Sequence, residues 1–155
     1  MDNLTRIASF TVDHDYITEG VYISRVDGDI TTYDLRLRRP NMGDYMDNLT
    51  MHSVEHLFAT YIRNSAIKDN VIYFGPMGCQ TGFYLLVRGV DKETVYEQIV
   101  ATLRAITLHG GAVPGATRRE CGNYENLSLD AAKAECRRYL ESLGKAKHRF
   151  DYPTE

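Results

Sequence analysis

The residues Thr50-Met51-His52-Ser53-Val54-Glu55-His56-Leu57-Phe58-Ala59 place two demands on a single helix. Val54, Leu57, Phe58 and Tyr61 fall at i, i+3, i+4 and i+7, an apolar stripe that must be buried against a core. His52 and His56 stand one helical turn apart on a neighbouring face, with Glu55 beside them. Ionisable groups flanking a buried stripe are costly to desolvate without a partner such as a metal ion. The chain must therefore cover this helix on one side and bring a further ligand to it on another. The spacing predicts the helix from 48–50 to 64.

The remaining patterning shows what can cover it. Residues 8–13 alternate apolar and polar and predict a short strand leading into His14. Residues 20–26 and 30–37, rich in β-branched and aromatic side chains, flank Asp27-Gly28-Asp29 and predict an antiparallel hairpin. Residues 71–74 predict a strand broken by Gly75-Pro76-Met77-Gly78, and 83–88 predict another, so Cys79 falls at a turn between them. A second helix is expected over 92–108, capped by Asp91 and stopped by Gly110-Gly111. Residues 112–126 read as irregular. A last helix is expected over 129–143, capped by Ser128 and ended by Gly144, with Cys136 on its apolar stripe. The sum is an α+β fold, a mostly antiparallel sheet packed against helices, with a metal site on the first long helix.

At 155 residues, 43% apolar and 25% charged, the chain suits one soluble domain spanning 1–155. A net charge of −3 gives no footprint for nucleic acid. No apolar run is long enough for a bilayer and Met1 to Arg6 lack the pattern of a signal peptide, so no membrane association and a cytoplasmic location are expected. Cys79, Cys121 and Cys136 are odd in number and widely spaced, which argues against a disulfide framework and leaves thiols free as ligands or catalysts. Residues 145–155 read as a solvated end.

His52-x-x-Glu55-His56 is also the spacing of inverzincin metallopeptidases, whose glutamate activates a metal-bound water. Such a site needs a downstream carboxylate ligand, and Glu97, Glu125 and Glu135 are candidates with nothing to single one out. A non-catalytic metal-binding protein is a further alternative. Cys121, followed by Gly122, is the better third ligand, since a thiolate binds zinc or ferrous iron strongly and three ligands leave a position open. Cys79 sits at a Gly-flanked turn rather than on a stripe, where a nearby positive charge can make a thiol a base.

Together these residues resemble the S-ribosylhomocysteine lyase (LuxS) family. The matching residues are Ser9-Phe10, Asp13-His14, Asp34-Leu35-Arg36 with Pro40-Asn41, His52-x-x-Glu55-His56-Leu57, the run from Gly75 to Tyr84, and Cys121-Gly122, over about residues 8–140. The resemblance implies one divalent metal held by His52, His56 and Cys121, ferrous iron by preference with zinc or cobalt as substitutes. It implies Cys79 and Glu55 as proton shuttles and Ser9, His14 and Arg36 as substrate-binding residues. It implies a homodimer with active sites at the interface. The implied reaction converts S-ribosyl-L-homocysteine into L-homocysteine and 4,5-dihydroxy-2,3-pentanedione, the autoinducer-2 precursor. Tyr73 departs from the pattern: many members carry an aspartate there for the amino-acid end of the substrate, and a phenol cannot neutralise an ammonium.

Overall fold

A computed structural model describes residues 3–154; the readings that touch Met1, Asp2 and Glu155 lie outside it. Four strands, β1 (Gly20–Asp27), β2 (Ile30–Arg36), β3 (Val71–Pro76) and β4 (Gly82–Arg88), form one antiparallel sheet in the order β1-β2-β4-β3. Two hairpins are thus joined side by side through β2 and β4. The first turns tightly, with Asp27 opposite Ile30 and Gly28 at φ 62°, a left-handed conformation in which glycine meets no steric penalty.

Three helices, α1 (Asn48–Ile62), α2 (Lys92–Leu108) and α3 (Leu129–Lys145), supply the other layer. Alternation along the strands decides which face they cover. Val21, Tyr33, Leu35, Phe83 and Leu85 point into the core with Val54, Leu57 and Phe58 of α1. Phe58, Phe74 and Phe83 form a stacked column, with centroids 4.2 Å and 4.9 Å apart, that fixes α1 over the β3–β4 hairpin. Asp47, Asp91 and Ser128 cap the three helices by accepting from Thr50, Thr94 and Ala131 backbone N–H groups.

Four readings of the sequence need correction. Residues 8–13 are not a strand: Ala8–Phe10 is a 3-10 turn, and two of the polar side chains that gave the alternation, Thr11 and Asp13, bond locally instead. Thr11 Oγ1 donates to Ala8 O at 2.7 Å, and Asp13 Oδ1 accepts from Asp15 N–H at 3.0 Å. Gly75-Pro76 does not break β3, because β3 is an edge strand where proline's missing N–H costs no ladder bond. Gly144 lies inside α3, which runs on to Lys145. The segment after α3 is not simply solvated, since Phe150 and Pro153 are buried.

Candidate functional site

Both histidines of α1 are held by backbone carbonyls from the irregular stretch between α2 and α3. A carbonyl only accepts, so His52 Nδ1–H donates to Asn126 O at 2.7 Å and His56 Nδ1–H to Pro114 O at 2.8 Å. Each Nε2 is thereby left with its lone pair free, the tautomer a metal requires. Gly115 makes the second bond possible: it sits at φ 75°, and a Cβ there would lie 3.0 Å from His56 Nδ1. The same stretch brings in Cys121, whose Sγ lies 3.3 Å from His52 Nε2 and accepts from Asn123 N–H at 3.3 Å. The ligand atoms of His52, His56 and Cys121 all fall within 4.8 Å of one another. Two neutral imidazoles and a thiolate, with no fourth protein ligand among the described residues, fit a catalytic metal that keeps an open position.

Glu55 is half-buried beside this cluster. It lines an open cleft of about 270 Å³ with Met51, His52, Pro76, Asn123 and Asn126, and it borders a second cleft on the side of His56. Among the described residues, the carboxylate ligand that a peptidase helix would need is not at the cluster. Glu135 is buried in a bidentate pair with Arg38, and no acidic residue joins the three converging ligands among the described residues.

A second group of polar residues occupies the sheet face turned away from the helices. Asp34 and Arg36 are almost wholly buried there, 1% and 3% exposed, and pair through Nε at 3.1 Å and Nη2 at 2.6 Å. Burial alone would push the Arg36 guanidinium down, but the adjacent Asp34 carboxylate outweighs it and raises it. Arg36 Nη1 donates to Thr81 Oγ1 at 2.9 Å, and the Thr81 O–H is free to donate to Cys79 Sγ, 3.0 Å away. Cys79 itself is exposed on the β3–β4 turn, where Gln80 takes φ 66°. Across the face, the Ser9 hydroxyl lies against the Tyr84 phenol, which burial raises.

The family model described as S-ribosylhomocysteinase (LuxS) matches residues 7–149. The chain belongs to the LuxS family. An S-ribosylhomocysteine lyase of Borrelia garinii is 38% identical over 157 residues, covering 97% of this chain and 100% of the relative. The S-ribosylhomocysteine lyase of Phocaeicola vulgatus is 41% identical over 157 residues, covering 96% and 98%. That of Desulfotalea psychrophila is 40% identical over 162 residues, covering 97% and 100%.

Within this LuxS chain the expected residues fall into two clusters. His52, His56 and Glu55 of α1 gather with Cys121 from the facing loop, while Cys79 and Arg36 meet through Thr81, with Ser9 on neighbouring Tyr84. No hydrogen bond joins the two among the described residues. His14 is half-buried with Nδ1 bonded to Val12 O at 2.9 Å, and no side-chain bond ties it to either cluster. Tyr73 is half-exposed on β3, its ring and hydroxyl folded over the Cα of Gly75. The residues that orient the ligands, Asn126, Pro114 and Gly115, were not predicted, because they act through backbone atoms. Thr81 lay inside the matched run without a role, and only its contacts with Arg36 and Cys79 supply one.

Proposed function

We infer that this LuxS chain cleaves the thioether of S-ribosyl-L-homocysteine to L-homocysteine and 4,5-dihydroxy-2,3-pentanedione, acting as one lyase domain over 1–155. The observation that carries the reading is the convergence of His52, His56 and Cys121 with Glu55 alongside, in a chain whose relatives bear the lyase's name along their whole length.

The reaction suits these groups. The substrate's carbonyl must move along the ribose carbons by proton transfers through enediolates until it stands β to the sulfur. Loss of the α proton then expels homocysteine thiolate by β-elimination. A divalent metal held by His52, His56 and Cys121 would supply Lewis-acid stabilisation of negative charge on the sugar oxygens, with ferrous iron the assignment and zinc or cobalt substitutes. Cys79 is assigned the early carbon-proton transfers and Glu55 the late ones. Thr81 and Arg36 stabilise the Cys79 thiolate between transfers. Ser9, His14 and Arg36 are assigned to substrate binding.

A homodimer with active sites at its interface accounts for the separation of the two clusters, since a second copy can complete a site that one chain leaves divided. Leu4, Ile7 and Phe10, all exposed around Ser9, offer apolar surface for such a contact. Three free thiols fit a reducing cytoplasm. No helix among the described residues is long and apolar enough to cross a membrane. Substitution separates lyase from peptidase: Cys79→Ala should abolish thiol release from S-ribosylhomocysteine with metal retained. Peptide hydrolysis that survives Cys79→Ala and vanishes in Glu55→Gln would instead identify a peptidase.

A further inference from the structure

The segment after α3 returns to the sheet. Phe150 N–H donates to Val21 O and Phe150 O accepts from Ile23 N–H, both at 2.8 Å, so the chain lies along the free edge of β1. The buried Phe150 ring anchors it, at φ 70°. Two residues on, Tyr152 reaches the polar face of the sheet. Its ring stacks on Tyr22, centroids 4.8 Å apart, and its hydroxyl donates to Asp34 Oδ2 at 2.7 Å. The same oxygen receives Arg36 Nη2.

We propose that Tyr152 is a positioning residue for the Cys79 proton shuttle: its bond to Asp34 shares the carboxylate's charge and leaves the Arg36 guanidinium available, through Thr81, to the Cys79 sulfur. The proposal rests on the role assigned to Cys79 above. An ion pair as buried as Asp34–Arg36 is poorly screened, so each neighbour's share of the charge is felt at the other end. With Arg36 as its sole partner, Asp34 would cancel most of the arginine's field. Tyr152 provides the one further side-chain donor to Asp34 among the described residues. Burial, then the Asp34 charge, raise the phenol above its ordinary range, so it remains a donor throughout the neutral range. The strap thus joins the chain's C-terminal segment to the turn carrying Cys79 by Tyr152, Asp34, Arg36 and Thr81 in sequence.

Tyr152→Phe tests this, because it keeps the ring and its stack and removes only the donor. The metal-loaded full chain is assayed for thiol release from S-ribosylhomocysteine and for the rate at which iodoacetamide labels Cys79 at fixed pH, read by peptide mass. The expected result is a fall in kcat of about fivefold with KM within about twofold, Cys79 labelling slowed about threefold, and a melting temperature within about 2 °C of wild type. Tyr152→Leu should show the same slowed labelling together with a lower melting temperature. Wild-type kcat and labelling in Tyr152→Phe, with losses confined to Tyr152→Leu, would overturn the proposal and leave the strap a packing element. Absence of thiol release from wild type would refute the lyase reading alone, while the labelling comparison would still decide whether Tyr152 acts on Cys79.

Discussion

The three cysteines stand in three environments, and their reactivities should differ accordingly. Cys136 is inside the helical layer, where burial penalises the thiolate and pushes the thiol up to about 12. Cys121 accepts from Asn123 N–H and faces His52, and Cys79 is exposed with Thr81 and Arg36 behind it. In the metal-loaded protein at neutral pH, iodoacetamide should label Cys79, spare Cys136 until the chain unfolds, and reach Cys121 only after chelation; mass mapping checks the order. Cys79→Ala should lower thiol release at least about 100-fold while elemental analysis finds the same metal content. At this scale the sequence was readable wherever a side chain does the chemistry. Cys136 stood on an apolar stripe and Cys79 at a Gly-flanked turn, and both positions hold. The carbonyls of Asn126 and Pro114 could not be foreseen, because any residue carries one and only the folded path of the loop aims them at His52 and His56.

Among the elements, α1 and the loop beside it decide whether the metal cluster forms. Asp47 caps α1, and its bonds to the Thr50 side chain and then to the Thr50 N–H hold its carboxyl below the usual carboxylate range. Because the folded form has the lower value, its contribution is present in full above the unfolded value of about 4 and is lost as pH falls through the folded one. Asp47→Ala should therefore cost about 1 kcal/mol near neutrality, and the difference from wild type in urea melts should shrink as the pH drops below about 4. Gly115→Ala should crowd the His56 ring and strain the loop at a positive φ. Its signature is faster metal loss to a chelator, with the far-ultraviolet circular dichroism of wild type. Helices and hairpins were legible because their apolar periods and caps are local. The strand expected at 8–13 failed because period-two alternation says nothing about a partner strand, and Thr11 and Asp13 satisfy the local backbone themselves.

For the whole molecule, two polar clusters stand on one chain, one beside α1 and one on the sheet face turned away from the helices, and the proposed homodimer would bring them together across its interface. Sedimentation should give a species of twice the 17.6 kDa chain, and Phe10→Glu, on the exposed apolar surface near Ser9, should shift it toward monomer and lower activity together. Nothing in the periodicity of residues 145–155 announces the strap, since Phe150 and Tyr152 are isolated aromatics whose partners lie on β1 and β2. In the proposed reaction the His52–His56–Cys121 centre and Cys79 together break a carbon–sulfur bond. Its most direct measurement is free thiol released from S-ribosylhomocysteine by the protein prepared anaerobically with ferrous iron. The wild type should release thiol in proportion to the substrate consumed and Cys79→Ala almost none at equal iron content; iron fully bound with no thiol released by the wild type would contradict the lyase assignment.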